Sequence, residues 1–565
     1  MPNSDNAPVF NLLRVPWLPA RRRSGSVEII APWQITDCID DDPFTTFAWP
    51  RPDFNGAAQE FLIGLLSTAV TPTDEDEWDA LWRHPPTPEI LQDRFKGIAH
   101  AFNLDGPGPR FLQDHDPLKD GAEKEVAALL IDAPGAQTLQ NNADLFVKRG
   151  HISVLSRAAA AMALFTLSAY APSGGAGHRT SLRGGGPLTT LVIAGDTLWG
   201  RLWPNVETAE QINARVGNPD LPDDPEFIFP WLAPTHTSNP KEQGRSTSPS
   251  DTHPLQVYWA MPRRIRLNFE MAGENATAQK CDLTGIANSI LVRSYRTKNY
   301  GIDYAEGFLH PLTPYYRQKP NGPQLPTHPQ PGGVTYRHWP GLVIENRDKW
   351  RNPAQTIRHI YERHRPIGGG LCNDKLRVTA FGYDMDNMKA RAWIEGEMPL
   401  LTVADADIRG ALEDFIQHAV KAADTVARLT VLAIKSALYD RPKDAPGDYG
   451  FVGEHFWRET EAAFYEALHE AERLARDTSS NSDDPTRSAR ENWIKILKRA
   501  ALRLLNDHAP LEGVEDRNME RHAKAVSFLH LALRGQGKSG HALFEKDLAI
   551  PAPKKSAPRK KKDAT

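Results

Sequence analysis

Residues 405–429, DADIRGALEDFIQHAVKAADTVARL, divide this 565-residue chain into two textures. Within them Ile408, Leu412, Phe415, Ile416, Ala419, Ala423, Val426 and Leu429 recur at steps of three and four, which puts them on one face of a long helix. The same spacing returns at Phe456, Phe464, Tyr465, Leu468 and Leu474, at Trp493, Leu497, Ala500, Ala501 and Leu504, and at Ala525, Phe528, Leu529 and Leu531. Residues 405–540 therefore read as a C-terminal four-helix bundle. On its third helix Lys495, Arg499 and Arg503 follow i, i+4 spacing and form a basic stripe, either a solvated face or a surface for phosphate or an acidic partner. Residues 541–565 are rich in Pro, Ala and Lys and read as a disordered basic tail.

Upstream, short β-like runs at 26–30 (SVEII) and 190–193 alternate with helical stretches such as 154–169. Residues 1–404 read as one large, irregular α+β domain. Two stretches, 235–254 and 319–333, are too rich in Pro, Ser, Gly and Asn for regular structure and are expected to be loops.

A hydrophobic content of 40% is ample for sizeable cores, and a net charge of −4 excludes a protein that coats nucleic acid indiscriminately. Any basic surface must be local, as at Arg21-Arg22-Arg23, Lys148-Arg149 or Arg263-Arg264 with Arg266, although short charge runs are commonly solvated turns. The three cysteines, Cys38, Cys281 and Cys372, are far apart and suggest neither a disulfide framework nor a zinc finger. With no membrane-length apolar run and no export signal at the start, a reducing cytoplasm and no membrane partner are expected. Most of the 14 tryptophans are expected to fill the interior rather than stack on bases.

Residues 171–190, APSGGAGHRTSLRGGGPLTT, hold six glycines, two arginines and a histidine. Backbone at Gly174, Gly175 and Gly177 can approach a ligand closely, and Arg179 and Arg183 carry charge suited to phosphate. The stretch matches neither GxxxxGK[ST] nor the dinucleotide GxGxxG pattern, so a nucleic acid and a plain surface turn both remain open. Catalytic signals are sparse. Asp114-His115-Asp116 offers the doublet of a metal phosphohydrolase centred on His115 and Asp116, but His359 and His364 stand among arginines without metal-site spacing. Paired carboxylates elsewhere sit in polar turns.

Several collinear motifs carry a family resemblance. Asn11-Leu12-Leu13 with Pro16-Trp17-Leu18-Pro19, Phe111-Leu112-Gln113, Ser181-Leu182-Arg183-Gly184-Gly185 with Pro187-Leu188-Thr189-Thr190, Ser294-Tyr295-Arg296-Thr297-Lys298-Asn299-Tyr300-Gly301, His310-Pro311-Leu312-Thr313-Pro314 and residues 382–391 (GYDMDNMKAR) together resemble the large subunit (CasA) of the type I-E CRISPR Cascade complex. The resemblance implies a nonenzymatic reader of the protospacer-adjacent motif on duplex DNA. Such a subunit helps open the duplex for guide-RNA pairing, uses no metal or other cofactor and admits a helicase-nuclease.

Carried over residue by residue, the family's glycine loop falls on Ser173, Gly174, Gly175, Ala176 and Gly177, with Ala176 replacing a close-contact glycine. The lysine finger falls on Lys298, with Arg296 close enough to compete. The wedge falls on Asp386-Asn387-Met388-Lys389, where Asn387 or Met388 stands in for the glutamine of some relatives. Read without the family, DMDNMKAR suggests a helix start capped by Asp386 with Met388 in the core. The loop 141–150, with Phe146, Lys148 and Arg149, corresponds to the segment that meets the guide's 5′ end and the neighbouring subunits. The bundle is expected to pack on the small Cascade subunit, and the guide-handle-binding subunit is a further partner. Two competing readings are the phosphohydrolase at His115 and a scaffold whose bundle only recruits partners.

Overall fold

A computed structural model of the protein describes residues 9–141, 149–175, 177–216, 224–271, 279–346, 348–363, 376–386, 388–403, 405–477, 484–512 and 516–553. The chain forms two compact units, Met1–Gly333 with Arg347–Ile367 and Asp374–Leu400, and Val334–Asn346 with Gly368–Asn373 and Leu401–Thr565.

The first unit is built around the helix Pro52–Ala69, which begins with proline at its first position and is buried on nearly all sides, Asp53 and Glu60 included. Phe61 at its centre meets Trp17, Phe102, Phe111, Phe165 and Trp259 edge-on, with ring centroids 5.5–6.1 Å apart. The alanine-rich helix Arg157–Tyr170 packs beside it, small side chains allowing close approach. Ser156 caps this helix by accepting the Ala159 N–H, and the helix ends at extended Ala171, directly before Pro172.

Two sheets position the functional segments. Strand Ile290–Lys298 pairs antiparallel with Arg264–Met271, Ala122–Glu125 and Leu155–Ser156. Strand Leu376–Asp386 lies between Thr189–Ala194 and Lys389–Pro399, antiparallel to both. The stretch 235–254 holds only short 3-10 turns. It is nevertheless tied down, as Ser238 Oγ donates to the Gly301 carbonyl at 2.7 Å and Thr247 N–H to the Asp303 carbonyl at 2.8 Å.

In the second unit the helix Ala406–Leu438 is the hub. Asp405 caps it by accepting the N–H groups of Asp407 and Ile408. Helices Gly450–Arg476, Arg487–His508 and Asp516–Ala532 each pack on it, and the first two also pack on each other. Most of the expected core positions behave as the periodicity requires, Leu412, Phe415, Ile416, Ala419, Ala423, Val426, Phe456, Phe464, Leu468, Trp493, Leu497 and Leu504 among them being buried.

Three expectations need correction. Residues 334–346 belong with the helices rather than with the mixed domain, because Tyr336 stacks on Phe464 at 4.4 Å and Trp339 meets the same ring at 6.1 Å. The tail is not disordered from 541, since a π-helical turn Ala542–Asp547 buries Leu543, Phe544, Leu548 and Ile550. Asp547 also uses its carbonyl as a partner for His418 Nδ1 at 2.8 Å, and residues 554–565 lie outside the described set. In the last long helix Leu531 is exposed, and Ala532 and Leu533 are buried in its place. Of the basic stripe, Arg503 is paired with Glu459 and Lys495 bonds Asn492, whereas Arg499 is exposed.

Candidate nucleic-acid interface

The helix Arg157–Tyr170 delivers the chain straight into the glycine loop. There the Gly174 N–H donates to the His178 carbonyl at 3.2 Å, the His178 N–H to the Gly175 carbonyl at 3.1 Å, and Ser173 Oγ to the His178 carbonyl at 3.3 Å. Gly177 has φ +77°, and a Cβ there would lie 2.8 Å from Cβ of Asn299, so only glycine fits. Its carbonyl accepts the Tyr300 N–H at 2.6 Å. Gly175 has φ +92° with open space where a Cβ would project, and it is exposed.

Arg263 straps the loop from beneath. Its Nε donates to the Arg179 carbonyl at 2.8 Å and its Nη2 to the Pro172 carbonyl at 2.5 Å, one contact on each stem. Burial pushes its pKa down to about 10, and burial with the charges of Arg263 and Lys124 lowers that of His178. Arg263→Met is expected to loosen both stems while leaving the sheet intact. Faster amide hydrogen exchange confined to 172–179 would report it, and unchanged exchange there would show that the strap does not hold the loop.

Tyr300, which bonds the loop, follows Lys298 by two residues, so the strand end carrying Lys298 is locked to the glycine loop. Lys298 Nζ is 2.6 Å from Oδ1 of the exposed Asp120, whose carboxyl is held below its usual range by hydrogen bonding to that lysine. An ion pair this exposed is screened by water and salt, so it holds the lysine in place without committing it. The competing Arg296 lies two residues back on the same sheet face, where its Nη1 donates to the Lys119 carbonyl.

The segment read locally as a helix start is instead the tip of a hairpin. Strands Leu376–Asp386 and Lys389–Pro399 face each other with Asp386 opposite Lys389. Met388 occupies the turn with φ +72° and is 57% exposed, not a core residue. The glycine-rich stretch reaches this hairpin as well, because a Cβ on Gly186 would lie 2.6 Å from the Met385 side chain and from the Tyr383 carbonyl.

A family model for the CRISPR-associated protein Cse1 matches residues 11–504. The chain belongs to the Cse1 family. At the level of fold it resembles Thermobifida fusca Cse1, with TM-score 0.66 and 17% identity over 96% of this chain and 98% of that one. The CasA of Thermus thermophilus gives 0.61 and 18% over 92% and 98%. A chain of a structure called CRISPR RNA-guided surveillance complex gives 0.63 and 17% over 93% and 100%.

Not every residue that the resemblance to the Cse1 family singled out can be placed. Ala176, Asn387, Phe146 and Lys148 lie outside the described residues. Arg149 is exposed and donates to the Leu139 carbonyl at 3.1 Å. Arg179 is tied to Ser238 Oγ at 2.9 Å and to Asp303 at 3.5 Å, at the loop's flank. Arg183 is removed from any phosphate role, because it is 4% exposed and its charge is met by Glu60 at 2.7 Å.

The phosphohydrolase doublet proves to be turn chemistry. His115 and Asp116 are exposed, Asp116 accepts the Leu118 N–H at 2.6 Å, and Asp114 is engaged by Arg264 at 2.5 Å. Among the described residues no group of three or more His, Cys, Asp or Glu is placed to hold a metal ion. His359 is buried against Gln355, its pKa pushed down to about 4 by burial and nearby arginines, and His364 lies outside the described residues. No described helix is long and apolar enough to cross a membrane. Reading the sequence missed Arg263 and Tyr300 as loop supports; the RRIR run was the available signal for the first.

Proposed function

We propose that this chain is the large subunit of a type I-E Cascade surveillance complex and, within it, reads the protospacer-adjacent motif on duplex DNA. The family membership and the fold shared with a chain of an RNA-guided surveillance complex support the first part. The observation that carries the second is the Tyr300 N–H to Gly177 carbonyl bond, which ties the glycine loop, exposed at Gly174 and Gly175, to the strand end bearing Lys298. A bare backbone and one long cation on a common support suit the shallow minor groove, where the donor and acceptor pattern is degenerate.

In this reading the hairpin tip at Met388 and Asn387 parts the first base pair, and the 141–150 loop meets the guide's 5′ end. The second unit contacts the small subunit, and the face near the glycine loop admits the helicase-nuclease. The protein acts in the cytoplasm, contributes no catalytic residue and needs no cofactor.

The test is duplex binding by the reconstituted guide-loaded complex, with and without this chain, on targets differing only beside the protospacer. Binding should require both the chain and a particular flank, and Lys298→Ala should cut the preference between flanks by about 1–3 kcal/mol, roughly 5- to 150-fold. Binding indifferent to the flank would sink the reading.

A further inference from the structure

Three arginines fall within four residues at Arg263-Arg264-Ile265-Arg266, and the fold sends each to a different place. Arg263 straps the glycine loop, and Arg264 is neutralised by Asp114. Arg266 stands directly opposite Arg296 across the antiparallel pair, just as Arg264 stands opposite Lys298. Because side chains alternate across a sheet, Arg264, Arg266, Arg296 and Lys298 share one face.

Arg266 Nη1 donates to the Asp114 carbonyl at 3.0 Å, and Arg296 Nη1 donates to the Lys119 carbonyl. Arg110, close enough to repel Arg266, donates Nε to the Gly106 carbonyl at 2.8 Å and lies over the Phe269 ring at 5.6 Å. Each of these three half-buried guanidiniums is anchored by a main-chain carbonyl, and among the described residues none has a carboxylate within ion-pair distance.

The acids around them are already engaged. Asp114 holds Arg264, Asp120 holds Lys298, Asp116 accepts the Leu118 N–H, and Glu123 accepts from Ser294 and Asn268. Arginines with a carboxylate partner, such as Arg22 and Arg51, have raised pKa values, whereas burial lowers those of Arg110 and Arg266, the latter to about 10. Glu123 stands opposite Arg296 on the neighbouring strand, and Asp114 and Asp116 offset part of the charge at Arg266, but none of them lies within ion-pair distance of either guanidinium. Like charges facing each other across strands without a direct carboxylate partner are unfavourable until an anion arrives.

We propose that Arg110, Arg266 and Arg296 form a phosphodiester track, contiguous with Lys298, that holds the sugar–phosphate backbone of duplex DNA beside the flanking motif. This rests on reading Lys298 as facing that duplex, which is what selects DNA as the occupant. Residues two apart on a strand are about 6.6 Å apart, so Arg296 and Lys298 can serve neighbouring phosphate groups. A guanidinium anchored at one nitrogen leaves the rest of its fork free for bidentate phosphate contact. Backbone contacts of this kind set register and affinity and carry no sequence information.

The test uses the assembled, guide-loaded complex carrying Arg110→Gln/Arg266→Gln/Arg296→Gln, titrated with duplex over a range of salt on targets with the preferred and a scrambled flank. Affinity should fall by the same factor on both targets, roughly 10-fold or more. The slope of log K against log salt should drop by about 0.9 for each arginine removed, and the flank preference should persist.

The corresponding triple Lys variant should keep the wild-type slope, which separates lost charge from misfolding. An unchanged slope in the Gln variant, or a slope lost equally in both variants, overturns the track. Loss of guide retention in place of duplex binding overturns the assignment to DNA. If the unmodified complex shows no flank preference, the motif-reading role fails instead, and the salt slope still decides whether the arginines hold phosphate.

Discussion

Arg183→Met is expected to lower unfolding stability by about 3–5 kcal/mol, the cost of leaving one member of a buried ion pair alone. Glu60 projects from the central helix and is 2% exposed. Its carboxylate takes Arg183 Nη2 at 2.7 Å, Thr189 Oγ1 at 2.5 Å and the Tyr170 hydroxyl, and Arg183 also donates to Thr313 Oγ1 at 3.2 Å. With the guanidinium gone, the buried Glu60 side chain loses its counter-charge and keeps only its two hydroxyl donors. Glu60→Gln/Arg183→Met should recover much of the loss, because an uncharged amide still accepts from Tyr170 and Thr189. Urea midpoints of the three variants read this out, and a single variant as stable as the parent would show that the pair does not hold the core. Arg183 also contacts the end of the helix that leads into the glycine loop, at the Ala169 carbonyl (3.5 Å) and the Tyr170 ring (5.4 Å), so the same substitution should also weaken flank-dependent binding.

Met388→Gly is expected to weaken opening of the first base pair by roughly 10- to 100-fold while the complex still binds the flanking duplex. An apolar side chain wedged into a base step offsets an unstacking cost of a few kcal/mol, and glycine offers nothing in its place. The backbone separates this loss from misfolding. Met388 has φ +72°, a conformation that costs a non-glycine residue about 1–3 kcal/mol, so glycine relieves strain at the turn. Fluorescence of a base analogue at the first pair measures opening, and Met388→Leu should retain it. Full opening by Met388→Gly, with loss instead in Asn387→Ala, would assign the wedge to Asn387.

The bundle helices and the short strands were legible because their evidence is local and periodic. Apolar residues at steps of three and four must share a helix face, and Asp405 stands where its side chain can cap the first turn. The order of motifs from Asn11 to Arg391 likewise pointed to the Cse1 family. Local rules failed where the neighbours come from elsewhere in the chain. DMDNMKAR carries a plausible helix start, yet pairing of Leu376–Asp386 with both Thr189–Ala194 and Lys389–Pro399 makes it a hairpin tip. Leu543, Phe544, Leu548 and Ile550 sit in a composition that reads as tail, and burial in the helical unit orders them.

The arginines show the division most clearly. Where positive charge is concentrated, at 179–183, 263–266 and 296–298, can be read from the order of residues alone. Which of those charges are already neutralised depends on the folded chain, since the carboxylate that matters can lie far away along it. Glu60 is 123 residues from Arg183 and Asp114 is 150 from Arg264, and both pairs form. Arg110, Arg266 and Arg296 meet carbonyls instead. Coulomb interactions depend on distance through space and on local burial, and neither is written in the spacing of residues.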